Sequence, residues 1–100
     1  MNYQKIIVAG NATKNAERLT SKDGKVGYTT FRIGVSDGKE KTTFFPVTVF
    51  GKLGESVAEY ITKGRQLLVE GRVQIGDNGR CNVVADQIRF GALPEEKAKK

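Results

Sequence analysis

Residues 28–36 read YTTFRIGVS, and their bulky apolar side chains recur at every second position. Phe31, Ile33 and Val35 fall on one side, and Tyr28, Thr30, Arg32 and Gly34 on the other. A strand sends alternate side chains to opposite faces, so this pattern describes a strand with one face buried and one face wet. Four more segments fit strands: KIIVAG (5–10), TFFPVTVF (43–50), QLLVEGRVQI (66–75) and RCNVVADQIRF (80–90). In 66–75 the alternation turns Leu67, Val69, Val73 and Ile75 inward and Leu68, Glu70, Arg72 and Gln74 outward. In 80–90, Cys81 shares a face with Val83 and Ala85 and reads as a small core residue. Leu68 and Val84, outward and apolar, suggest surface that meets another subunit.

The joints restrict the topology further. Asp23-Gly24, Asp37-Gly38 and Asn78-Gly79 are tight-turn pairs, which implies hairpins between successive strands. One connection has a different period. KLGESVAEYITKG (52–64) places Leu53, Val57, Tyr60 and Ile61 on one helical stripe, with Gly64 as the expected stop. Gly54 weakens the first turn, so the helix is expected to start near Glu55. Three strands, a helix and two strands is the element order of the OB-fold, an all-β, five-stranded Greek-key barrel that binds oligonucleotides or oligosaccharides across strands 2 and 3. A generic α+β sheet is the alternative. One hundred residues suffice for one such domain. We expect it to span residues 1–91, with 92–100 a short, flexible, charged tail.

The third segment holds a surplus of rings. Phe44, Phe45 and Phe50 lie within seven residues, out of five phenylalanines in the chain. Alternation assigns Phe45, Val47 and Val49 to the core. Phe44, Pro46, Thr48 and Phe50 then face outward, with the two rings about 20 Å apart along the strand. Tyr28, Thr30 and Arg32 of the second segment, and Arg72 and Gln74 of the fourth, belong to outward faces too. Rings among guanidinium and hydroxyl groups suit single-stranded nucleic acid, because bases stack on rings while cations meet phosphates. Alternatively, Phe44 packs beneath a loop and Phe50 caps the core or meets a subunit.

Charge points the same way. The chain carries 17 Lys and Arg against 11 Asp and Glu, a formal +6. GALPEEKAKK at the end holds three Lys and two Glu, so residues 1–90 remain at about +5. A polyanionic partner or a surface charged for solubility accounts for such an excess. The absence of histidine, a lone Cys81 and scattered carboxylates argue against an enzyme or a metal site. No phosphate-binding glycine loop is present, and FGKLGES is not one. No cofactor is expected. With no signal peptide, no apolar run near 18 residues and no cysteine pair, the expected setting is the reducing cytoplasm, at the nucleoid, or in a host's cytoplasm if the gene is viral.

Several segments in order resemble the bacterial single-stranded DNA-binding proteins. KIIVAGN (5–11) is similar to their opening strand, Phe31 to a strand 2 phenylalanine, and VTVFGKL (47–53) to the signature entering the helix. AEYITKGRQLLVEGRV (58–73) resembles the helix end, the Lys-Gly turn and the Glu-Gly strand. The resemblance implies an OB-fold that coats single-stranded DNA without sequence preference, as a homotetramer or a dimer, in replication, recombination and repair. Phe44 falls where the family has a stacking tryptophan, and Phe50 matches a stacking phenylalanine. Lys14 and Arg18 fall near basic positions after the Gly-Asn turn. With Tyr28 a third ring, the expected phosphate and polar contacts are Lys5, Lys14, Arg18, Arg32, Thr48, Lys52, Arg72 and Gln74.

The departures are specific. There is no tryptophan, the short loops DGKEK and GDNG supply no ring, and Pro46 replaces a basic residue. The basic end differs from the family's acidic, phenylalanine-tipped tail, which argues against recruitment of repair proteins by that route. Two other functions fit: a primosomal replication protein, a short relative acting through protein partners, or an OB module whose outer face binds protein.

Overall fold

The strand Ile6–Ala12 (β1) closes the sheet on itself. Its residues Ile6 to Asn11 pair antiparallel with Gln66–Ile75 (β5), and Asn11 and Ala12 pair with Ile33 and Gly34 of Gly27–Ser36 (β3). The other elements are Glu17–Thr20 (β2), Thr42–Phe50 (β4), the helix Gly51–Ala58 (α1) and Cys81–Phe90 (β6). This computed structural model describes residues 3–22, 24–36, 38, 41–76 and 79–91. The sheet order is β1-β5-β6-β4-β3-β2, and the β1–β3 pairing closes a five-stranded barrel with β2 outside it. β4 and β6 run parallel through Val47↔Val83 and Thr48↔Val84, while the other pairs are antiparallel. The helix lies between the third and fourth barrel strands. The fold is the OB-fold that the element order predicts.

The expected inward faces fill the barrel. Ile33, Val47, Val49, Leu67, Val69 and Val83 are almost fully buried, and Phe45 packs partly buried against them. Gly24, Gly38 and Gly79 all adopt positive φ, as their turn positions require. Asp23, Asp37 and Asn78, their partners in those turns, lie outside the described residues.

Three expectations about the faces of β5 and β6 are corrected. Ile75 is 65% exposed, and Cys81, its partner across the β5–β6 ladder, is exposed too. Both flank the turn of that hairpin, which Gly76 N–H closes by donating to Arg80 O (2.9 Å), and Cys81 lies two residues before the β4–β6 pairing begins at Val83. Val84 is only 5% exposed, with Thr48 and Arg72 beside it in register, so it is not a subunit surface. A bulge then shifts the register: Gly71 pairs with Ala85, but Glu70 pairs with Gln87. Ile88 and Phe90 therefore pack against the core on the far side of the bulge.

The helix is earlier and shorter than expected. Gly54 lies inside it and is buried, because a Cβ there would stand 2.6 Å from Val49 O and 2.9 Å from Thr29 Oγ1. Its place is a close approach to the barrel rather than a weak first turn. The helix ends in tight i→i−3 bonds, Tyr60 N–H to Val57 O (2.9 Å) and Ile61 N–H to Ala58 O (3.4 Å). Ile61 drops into the core while Tyr60 stays outside. Gly64 stops no helix; at φ 88° it turns the chain so that its N–H reaches Ala12 O at 2.8 Å.

Candidate nucleic-acid interface

The outward residues of β2, β3, β4, β6 and β5 stand in rows across the barrel. Leu19, Tyr28 and Phe50 form one row. Glu17, Thr30, Thr48, Val84 and Arg72 form the next. Beyond it, Arg32 stands opposite Pro46, and Gln74 opposite Asn82; Gly34 stands opposite Phe44. The alternation of β4 thus sorts its rings as predicted: Phe44 is 53% exposed and Phe50 48%, whereas Phe45 leans into the core.

Each ring has its own seat. Phe50 and Tyr28 lie with centroids 5.9 Å apart and planes tilted by 50°, a favourable aromatic contact. Phe44 lies over Gly34: a Cβ on that glycine would stand 3.3 Å from Phe44 Cε1 and 3.5 Å from Cδ1. Between the seats the surface is polar. Thr48 and Asn82 are joined side chain to side chain, with Asn82 Nδ2 donating to Thr48 Oγ1 at 3.0 Å. Arg32, Arg72 and Gln74 are exposed around this pair.

Such a surface offers flat apolar contacts at both ends and cations between them, the parts needed to hold bases and phosphates. A model of the single-strand binding protein family matches residues 3–90. The chain belongs to that family. The single-stranded DNA-binding protein of Clostridium tetani is 33% identical over 99 residues, covering 86% of this chain and 68% of the relative. Single-stranded DNA-binding protein 1 of Clostridium acetobutylicum is 35% identical over 100 residues, covering 86% of this chain and 91% of the relative. Among solved structures, a deletion mutant of the single-stranded DNA binding protein from Thermus aquaticus matches with a TM-score of 0.77 at 25% identity. That match covers 91% of this chain and 42% of the Thermus chain.

Within this family member the sequence-predicted residues do not all converge. Tyr28, Arg32, Phe44, Thr48, Phe50, Arg72 and Gln74 share the ring face. Lys14, in the β1–β2 connection, borders a hollow that Arg32, Thr30 and Pro46 also line. Lys52 is exposed on α1, two residues past Phe50. Arg18 points elsewhere. It pairs with Thr29, on the inward side of β3, and Arg18 Nη1 donates to Thr29 Oγ1 at 3.0 Å. Thr29 in turn donates to Gly54 O at 3.0 Å, so Arg18 ties β2 to the helix side of the barrel. Lys5 is engaged with Glu70, Nζ to Oε1 at 2.9 Å. The hydrogen bond to Glu70, and next its charge, raises the Lys5 pKa above 10.5.

The face also holds residues that the sequence did not single out. Asn82 is readable in hindsight, since alternation against Val83 and Ala85 turns it outward. Leu19 gives no such signal, because ERLT contains one apolar residue and no period. Among the described residues no helix is long and apolar enough to cross a membrane, and no group of three or more His, Cys, Asp or Glu is placed to hold a metal.

Proposed function

We propose that this chain binds single-stranded DNA without sequence preference and protects it during replication, recombination and repair, as a cytoplasmic, non-enzymatic binding protein. The observation that carries this reading is the pair of half-exposed rings, Phe44 and Phe50, on the outward face of β4 with Arg32 and Arg72 nearby. Bases stack on the rings whatever their identity, and the guanidinium groups meet phosphates. In duplex DNA the base faces are already stacked on each other, so the surface favours single strands. Residues 1–91 form the binding domain in this proposal. Lys14 and Lys52 add phosphate contacts at its margins, Thr48 and Gln74 polar ones. Arg18 and Lys5 contribute mainly through Thr29 and Glu70.

The chain also acts as a homo-oligomer in this reading, with a tetramer the favoured state. Ile7 is 60% exposed on β1, and Leu68 lies next to it on β5, opposite Ala9. An apolar strip on a barrel strand fits a contact with a second copy. Titration of tyrosine fluorescence with oligo-dT of graded length, read beside the mass in solution, tests both parts. Saturable binding that is far weaker for duplex, with an oligomer mass, is the expected result. A folded protein that binds no oligo-dT would refute the DNA reading, and a monomer at all concentrations the oligomer.

A further inference from the structure

Arg32 and Pro46 face each other across the β3–β4 ladder, between the ring seats, one row from Phe44 and two from Phe50. Two shallow hollows flank this pair. One runs toward Lys14, Glu17 and Thr30; the other runs toward Gln74, Arg80 and Asn82. Arg32 and Pro46 line both, so they form the saddle between them. A strand passing from one hollow to the other crosses this pair, at an angle to the line joining Phe44 and Phe50.

The two sides of the saddle differ in chemistry. Arg32 is exposed and always charged, with a planar fork that matches phosphate oxygens. Pro46 is exposed, has no amide hydrogen to donate, and presents only a rigid hydrocarbon ring. A phosphate laid on Pro46 would lose water and gain nothing, whereas a base face laid there loses little and covers apolar surface. Pro46 also lies one residue before β6 begins to pair with β4, so its missing amide leaves no gap in that ladder.

The geometry points to Pro46 as a base-contacting residue for single-stranded DNA, working as a unit with Arg32, which holds the adjoining phosphate. This rests on the single-stranded DNA reading above and adds to it a third apolar contact between the rings.

Oligo-dT titrations of Pro46→Ala, Arg32→Gln and the double variant test it, on protein whose folding is checked by its urea midpoint. Pro46→Ala should weaken binding roughly three- to tenfold, less than a full ring, without changing the salt slope. Arg32→Gln should make the slope of log K against log salt shallower by about 0.7, the value for one phosphate contact on a single strand. The double variant should lose less than the product of the two single losses. On a tract lacking bases, Pro46→Ala and the unsubstituted protein should bind alike. Unchanged oligo-dT affinity in Pro46→Ala, or a loss that persists undiminished on the base-free tract, would overturn the inference. If the unsubstituted protein ignores oligo-dT, the DNA reading itself fails, which is a separate result.

Discussion

Phe44 and Phe50 are held by different neighbours, and this sets what each substitution should do. Both rings are about half exposed, so truncation removes little core packing. Phe44→Ala and Phe50→Ala should each weaken oligo-dT binding by about 1–3 kcal/mol, with small shifts of the urea midpoint. A double variant that unfolds, while its folded fraction binds normally, would make the rings structural instead. Phe44 offers a second check, because its ring lies on Gly34. Valine at that position fills the space the ring occupies. Gly34→Val should therefore weaken oligo-dT binding on its own, yet add little in a chain that already carries Phe44→Ala. Additive losses in fluorescence titrations would mean that Gly34 acts through something other than this ring.

At the scale of elements, Val57 and Leu53 pack the helix on the core, and Gly54 sets how closely it approaches the barrel. By intrinsic preference, Gly54→Ala should stabilise a helix by about 1 kcal/mol. Here the added Cβ would sit 2.6 Å from Val49 O and push the helix off β3 and β4, straining the Thr29–Gly54 hydrogen bond. Overpacking of this kind costs about 1–3 kcal/mol, so Gly54→Ala should lower the urea midpoint. An unchanged or raised midpoint would show that the helix gives way without penalty. The contrast explains what the sequence could tell. Period-two patterns and Asn-Gly or Asp-Gly turns are local, and they yielded the five barrel strands and the two faces of β4. The helix limits were not local. They depend on where Ile61 finds the core and on how near Gly54 comes to Val49, neither of which is written in a 13-residue stripe. β2 was invisible for a related reason: its four residues are all exposed, so burial never imposed a period on them. The bulge after Glu70 inserts one residue into β6 and so defeats any fixed alternation there. The site divided in the same way. Phe44, Phe50, Arg32 and Arg72 followed from strand parity, while the partners of Arg18 and Lys5 lie on other segments, Thr29 across the β2–β3 ladder and Glu70 on β5.

For the whole molecule the question is whether a formal charge of +6 serves binding or only solubility. The two differ in how affinity responds to salt. Each phosphate neutralised on a single strand makes the negative slope of log K against log salt steeper by about 0.7. If Arg32, Arg72, Lys14 and Lys52 each meet a phosphate, the slope should be near −3, at the rough value of 0.7 per contact. Solubility charge distributed evenly over the surface would leave it shallow. Arg18 supplies the internal control, since it bears the same charge but donates to Thr29 on the helix side. Arg18→Gln should therefore leave the salt slope nearly unchanged and lower the urea midpoint, whereas Arg72→Gln should do the reverse. Titrating both variants with oligo-dT at several salt concentrations checks this directly. Equal slope changes for the two would mean that affinity follows net charge alone, and that the arrangement of cations on the ring face has no part in it.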